Sequence, residues 1–343
     1  MPKPELCVAF ACDTEDNHPN YVPGWTEYGS DYEKNPAVIN WSWTKYWSDL
    51  SKSFNTRNVP VTWLMRVDDG PIYDQMLKHL KEKILELKSI GDEIGIHIHT
   101  WSWDIKLSKW VQTINPKDEA KIVTDSITMF KKNQGFAPLS ASMGWHTMSN
   151  EIMSALDANG LMVDASALPK NCSSGKFGKR DNIYDWSRAP TTPYNPSPTD
   201  YQLPGDMEIL EVPISSLSSN RPSMLSKIVP KLSDKKSLAR LLPLARQLNL
   251  TPHNNLYITP WWSSSVYNKI IKAYCKKAHN EGTAYLIGTF HPSDILDPKT
   301  GNKNFIFEEY IKQVLNTILS LENINVRFMK LSEIAERFKG KST

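Results

Sequence analysis

From Gly91 to Asp104 the sequence reads GDEIGIHIHTWSWD. Taken with a period of two, Glu93, Gly95, His97 and His99 fall on one side of the chain and Ile94, Ile96 and Ile98 on the other. The pattern predicts a strand with an oily face and an imidazole face. Histidines at i and i+2 project the same way, with Cα atoms roughly 6 to 7 Å apart at about 3.3 Å rise per residue. Both can therefore reach one metal ion. The remaining ligands must come from elsewhere in the chain.

The flanking sequence predicts the sheet that this strand joins. Leu6 to Cys12 is an almost unbroken apolar run that opens into Asp13, Thr14, Glu15 and Asp16, as a buried parallel strand does when its carboxyl end meets a polar site. Val38 to Phe54 has helical spacing, with Trp43 and Trp47 reading as core. Val59 to Met65 is a second strand, and Pro71 to Ile90 an amphipathic helix closed by Gly91. Beyond a tryptophan-rich loop come a helix (Pro116 to Lys132), a strand (Leu139 to Trp145), a helix (Asn150 to Asn159) and a short strand (Leu161 to Ala165). This alternation predicts an α/β fold around a parallel sheet, closed or open.

Lys170 to Asp206, rich in Ser, Pro, Gly and Asn, breaks the alternation and reads as an ordered functional loop carrying Asp185 and Trp186. Met207 to Ile214 resumes as a strand, and Ser223 to Leu250 reads as helical with Pro230 and Pro243 interrupting it. Leu256 to Thr259 and Thr283 to Phe290 are further strands around a helix, Ser263 to Glu281, and the second delivers His291 at its end. Helices Phe305 to Leu321 and Leu331 to Phe338 flank a last strand, Asn325 to Met329. We expect a single domain over 1–343 with a loop insertion at 170–206 and a helical insertion at 222–250.

Composition removes several function classes. With 40 Lys+Arg against 37 Asp+Glu the net charge is +3, and no basic run marks a nucleic-acid track. Cys7, Cys12, Cys172 and Cys275 form no CxxC pair and read as reduced thiols. No stretch has the length and apolarity of a transmembrane helix, and the amino terminus lacks the pattern of a secretory signal. The expected location is cytoplasmic.

Three polar clusters, Asp13/Glu15/Asp16, His97/His99 and His291, fall at expected strand ends, where parallel α/β proteins gather their chemistry. Two imidazoles and a carboxylate match a hydrolytic zinc site, and a second carboxylate beside them can serve as general base. FACDTED (Phe10 to Asp16), EIGIHIHTW (Glu93 to Trp101), MGWHTMSNEIMSALDANGLMVDASALP (Met143 to Pro169), DWSRAPTTPY (Asp185 to Tyr194), EILEVPIS (Glu208 to Ser215) and FHPSDIL (Phe290 to Leu296) occur in the order of the NodB-homology polysaccharide deacetylases, carbohydrate esterase family four. In that order of segments, roughly Leu6 to Ile334, the chain resembles this family as a divergent member.

The resemblance implies a distorted (β/α) barrel of about seven parallel strands, with long loop insertions. It also implies divalent-metal-dependent removal of an acetyl group from an N-acetylated sugar, glycan or glycan precursor, with Zn2+ as the expected ion. It makes Asp13 the general base, Glu15 or Asp16 the metal carboxylate, His97 and His99 the imidazole ligands, and His291 the general acid. Trp101, Trp103, Trp145 and Trp186 become candidates for stacking on a sugar, with Asp185 beside them. The chain departs from the family pattern in two places. The family spaces its histidines four apart, whereas His97 and His99 are two apart, and His18 or His146 are other imidazoles that could complete a site. The arginine that orients the family's catalytic acid is replaced by Ala141 or Ser142, with Arg66 and Arg188 as possible substitutes. A catalytically silent saccharide-binding barrel, or an amide hydrolase for a ureide or formamide, are the competing expectations.

Overall fold

The computed structural model describes residues 3–14, 59–67, 77–78, 80–104, 109–113, 115–173, 184–218, 255–258, 264–295 and 302–342. Among them, eight parallel strands form one curled sheet: β1 (Glu5–Thr14), β2 (Val61–Arg66), β3 (Glu93–Ile98), β4 (Ser140–Met143), β5 (Val163–Asp164), β6 (Leu210–Glu211), β7 (Thr283–Phe290) and β8 (Asn325–Phe328). The order is β6-β5-β4-β3-β2-β1-β7, and β8 pairs with the first half of β1. The two ends of this path are bridged beyond β6, where Ser215 N–H donates to the Ile287 carbonyl at 3.2 Å and Ile287 N–H donates back to Ser215 Oγ at 2.8 Å. The result is the expected distorted barrel, with the seven-strand path of the sequence reading.

Among the described residues, the longer helices beside the sheet are α1 (Lys81–Ser89), α2 (Pro116–Gln134), α3 (Asn150–Ala158), α4 (Ser264–Glu281), α5 (Phe305–Leu319) and α6 (Leu331–Ser342), with a single turn at Pro292–Ile295. Their bounds follow local chemistry. Asn115 caps α2 by accepting Lys117 N–H, Pro116 occupies the first turn, and Gly135 ends the helix at φ +78°. The segment 170–206 is ordered in its described part, with two-stranded pairings that include Pro196–Ser197 with Asp200–Pro204. The expected helices at Val38 to Phe54 and in 222–250 lie outside the described residues. No helix among the described residues is long and apolar enough to cross a membrane.

Strand periodicity divides the core in two. Val8, Phe10, Trp63, Ile94, Ile96 and Ile98 pack outward against α1 to α5. Cys7, Ala9, Ala11, Leu64, Val163, Ala165, Leu210 and Ile287 face the lumen. Each large aliphatic side chain removed from water contributes about 1.5 to 3 kcal/mol, so shifting β3 by one residue, which would exchange isoleucines for histidines, is strongly opposed.

Helix α6 closes the end of the barrel opposite the strands' carboxyl termini. Its Leu331, Ile334 and Ala335 join the lumen cluster. Glu93 Oε2 accepts from Ser332 N–H at 3.0 Å and Ser332 Oγ at 2.9 Å, while Thr62 Oγ1 accepts from Leu331 N–H at 3.1 Å. Glu93 thus supplies a carboxylate at a helix amino terminus, where the peptide dipoles favour negative charge. Its side chain shares a strand face with the histidines but serves the other end of the barrel.

Candidate active site

Register brings the polar side chains together. Asp13 lies opposite Leu64, Arg66 opposite His97, and His97 opposite Ser142 across neighbouring parallel strands. On the other flank of β1, Cys12 pairs with Phe290, so His291 emerges beside Asp13. His97 and His99 are buried at 2% and 1% exposure. Asp13 and His291 keep side-chain exposures of 17% and 23%, which leaves them a route to solvent.

A chain of polar contacts joins these groups. Ser142 Oγ donates to Asp13 Oδ1 at 2.7 Å and lies 2.7 Å from His97 Nδ1. Asp13 Oδ1 is also 3.4 Å from His97 Nδ1, and its Oδ2 is 3.9 Å from His291 Nε2. Burial pushes the Asp13 pKa up, but the His97 and His291 charges and the hydrogen bonds of His97 and Ser142 outweigh it and hold the carboxyl at about 2. Asp13 is therefore an acceptor-only carboxylate. The single hydroxyl proton of Ser142 is spent on it, so His97 Nδ1 must donate to Ser142. In neutral His97 the lone pair then sits on Nε2.

The second imidazole is close by, with His97 Nε2 and His99 Nε2 3.2 Å apart. Two ligands at about 2.0 to 2.1 Å from a tetrahedral zinc ion are separated by about 3.3 Å. The imidazole pair thus fits two positions of a zinc site. Among the described residues no group of three or more His, Cys, Asp or Glu side chains is arranged to hold a metal ion. Glu15 and Asp16, the expected carboxylate ligands, and His18 lie outside the described residues. Gly144 keeps the pair in place by close approach, because a Cβ there would fall 2.3 Å from His99 ring atoms.

The segment that follows is unusual. Trp145 and His146 both adopt left-handed backbone, at φ +55° and +59°, a conformation that costs about 1 to 3 kcal/mol for each non-glycine residue. Hydrogen bonds hold it there: Thr147 N–H to the Gly144 carbonyl at 3.1 Å, His146 Nδ1 to the Ser166 carbonyl at 3.0 Å, and Trp186 Nε1 to the His146 carbonyl at 3.0 Å. The half-buried Trp145 ring meets the His99 ring edge-on at 5.9 Å. Trp145 is thus beside the imidazole pair, while His146 is bound towards the end of β5.

Other sequence candidates sit elsewhere. Trp186 is fully buried and packs edge-on against Tyr201 at 4.8 Å, so it offers no ring face to a sugar and acts as the support of the His146 turn. Asp185 Oδ1 accepts from Ser187 N–H at 2.9 Å, and the hydrogen bonds of Ser187 lower its pKa. Arg188 pairs with Asp200 at 2.5 Å on the surface rather than with Asp13, whereas Arg66 is buried in register with His97. Trp101 and Trp103 lie on the strand Trp101–Asp104, which pairs antiparallel with Lys109–Gln112. The expected tryptophan-rich loop is thus a hairpin, and its side chains lie outside the described ones.

Two features escaped the sequence reading. Asp294 Oδ2 accepts His291 N–H at 2.8 Å and is 3.6 Å from His291 Nδ1, fixing the ring from behind. The i, i+3 spacing in HPSD was the available signal. The second is a buried carboxyl pair, Asp164 and Glu211, opposite one another on β5 and β6. Asp164 accepts from Ser166 Oγ at 2.8 Å, and Glu211 Oε1 from Ala167 N–H at 2.9 Å. Burial, then the Asp164 charge, pushes the Glu211 carboxyl well above its ordinary value. Ser166 Oγ also accepts Met143 N–H at 2.7 Å, which ties this pair to the Gly144 turn.

No family model and no curated protein sequence matches the chain. Solved structures do share its fold. A putative polysaccharide deacetylase from Mycobacterium smegmatis aligns with a TM-score of 0.52 at 16% identity, covering 99% of this chain and 92% of its own. A probable polysaccharide deacetylase from Pseudomonas aeruginosa PAO1 aligns at 0.51 and 12% identity, over 99% and 95%. PuuE allantoinase aligns at 0.51 and 12%, over 99% and 94%. The barrel is that of the polysaccharide deacetylase structures.

Proposed function

We propose that the protein is a metal-dependent hydrolase that removes the acetyl group from an N-acetylated amino sugar in a glycan or glycan precursor. The observation that carries this reading is the placement of the Asp13 carboxyl group, with one oxygen committed to Ser142 and His97 and the other turned towards His291. His97 and His99 would hold the ion through Nε2, with Glu15 or Asp16 as the expected carboxylate ligand. A divalent ion of the zinc type supplies Lewis acidity, polarising an acyl carbonyl and bringing the pKa of water from about 15.7 towards 7.

The chain's own groups account for the protons. Asp13 Oδ2 takes a proton from the attacking water as the C–O bond forms at the acetyl carbon. His291 Nε2 gives a proton to the amide nitrogen as the C–N bond breaks, releasing acetate and the free amine. Such transfer typically contributes about 10² to 10⁴ in rate. Asp294 keeps the His291 ring turned so that Nε2 faces Asp13, and Trp145 stands beside His99 where a sugar ring can lie against it.

The test is a panel assay. Metal-free protein, reloaded with Zn2+, Co2+ or Mn2+, is incubated with N-acetylhexosamine oligosaccharides, nucleotide-linked N-acetyl sugars, a ureide and a formamide, and acetate, formate and ammonia are measured. Metal-dependent acetate release that disappears in Asp13→Asn and His291→Ala is expected. Formate or ammonia alone would move the assignment to another amide, and glycan binding without any product would make the barrel a binder.

A further inference from the structure

We propose that Ser142 is the positioning residue that sets the Asp13 carboxylate against the His97 imidazole, so that base and ligand are held as one unit. The proposal rests on the hydrolase reading above for its kinetic consequence, but on geometry alone for the assignment. Ser142 lies on β4 directly opposite His97, and its hydroxyl makes two 2.7 Å contacts, one to Asp13 Oδ1 and one to His97 Nδ1. It is buried, at 4% exposure, so neither contact competes with bulk water.

The direction of both bonds is determined. Ser142 Oγ donates its one proton to Asp13 Oδ1, so the serine oxygen can only accept from His97 Nδ1. The direct separation of His97 Nδ1 from Asp13 Oδ1, 3.4 Å, is longer than either leg through the hydroxyl. Each contact made by the Ser142 hydroxyl is thus closer than the direct contact between the two groups it joins. It does three things with one oxygen: it fixes the His97 tautomer with the lone pair on Nε2, it anchors Oδ1, and it leaves Oδ2 as the Asp13 oxygen turned towards His291. A partner that supports a ligating histidine in this way is usually worth about 10- to 100-fold in affinity or activity.

Three proteins distinguish this role from packing: wild type, Ser142→Ala and Ser142→Thr. The alanine variant removes one oxygen from the site, and threonine returns a hydroxyl. Ser142→Ala is expected to lower kcat by about 10- to 100-fold with KM nearly unchanged, and to weaken Co2+ binding read from the visible spectrum of the titrated metal-free protein. Ser142→Thr should recover most of both. A crystal structure of Ser142→Ala should show the Asp13 carboxylate turned from its present place. An Ala variant with wild-type kcat, wild-type Co2+ affinity and an unmoved Asp13, or a Thr variant no better than Ala at equal Tm, overturns the proposal. If the wild type releases no product, the hydrolase reading fails by itself, and the Asp13 position in the alanine variant still decides the role of Ser142.

Discussion

The Nε2 atoms of His97 and His99 face each other at 3.2 Å, and Ser142 commits the other nitrogen of His97 to being a donor. Either a proton on one of the two Nε2 atoms fills that gap, or a cation does. Replacing either histidine by alanine should therefore weaken binding of Zn2+ or Co2+ by more than about 100-fold, beyond the range set by supporting residues. Isothermal titration of the metal-free protein checks this; a variant that keeps wild-type affinity would place the ion elsewhere.

Two glycines should fail in different ways. A Cβ at Gly95 would fall 2.4 Å from Ser140 Oγ and 2.5 Å from the Ser140 carbonyl, so Gly95→Ala is expected to cost about 1 to 3 kcal/mol of stability through overpacking. At Gly144 the obstruction is the His99 ring itself. Gly144→Ala should lose metal binding and turnover out of proportion to its loss of stability. Urea unfolding and Co2+ titration on the same preparations separate the two effects.

The isoleucine and histidine faces of β3 were legible because a period of two admits one assignment, and Thr283–Phe290 matches the expected strand because both of its ends carry clear stops. Val163–Asp164 and Leu210–Glu211 are shorter than expected. The apolar residues around them are buried in extended chain that bonds outside a ladder, as Ser215 does. Trp186 misled for a plain reason: a tryptophan beside Asp and Ser in a polar loop gives no sign that Tyr201 covers it. Ser142 was legible only as one of two residues, with Ala141, standing where the family has an arginine; its own role could not be read, because its hydroxyl acquires meaning only from a carboxylate 129 positions away.

Trp145 and Trp186 make a controlled comparison. Trp186→Ala should destabilise the fold by about 3 to 5 kcal/mol, as removal of a fully buried aromatic does, and loosen the His146 turn. Trp145→Ala should cost distinctly less stability and raise KM for a glycan substrate. Thermal unfolding and steady-state kinetics provide both readings; equal stability losses would mean that Trp145 is core as well.

The Asp164–Glu211 pair predicts a pH dependence away from the reaction. The Glu211 carboxyl has a folded pKa raised above its unfolded value of about 4.3. It holds its proton more tightly when folded, so the stability it contributes is fully present below about pH 4.3 and is lost as pH rises through the folded value. Glu211→Gln keeps an oxygen for Ala167 N–H and removes the titration. Its unfolding free energy should fall less steeply than that of wild type over this range, as measured by urea denaturation at several pH values. Identical slopes would assign the proton elsewhere.

The clamp at the closed end is testable apart from the site. Glu93→Ala removes the acceptor of Ser332 N–H and Oγ and should cost about 1 to 3 kcal/mol. Hydrogen exchange in 331–342 should quicken while the Co2+ affinity of the distant imidazoles stays within about twofold.

Along β1 the side chains turned into the lumen are Cys7, Ala9 and Ala11, and Leu64 fills the space beside them. A bore lined in this way is solid, as small parallel barrels are. Anyone retargeting the protein to a new molecule gains nothing by excavating it. Selectivity has to be composed in the segments above the strand ends, so natural variation in what such barrels accept should be concentrated there while the bore stays monotonous.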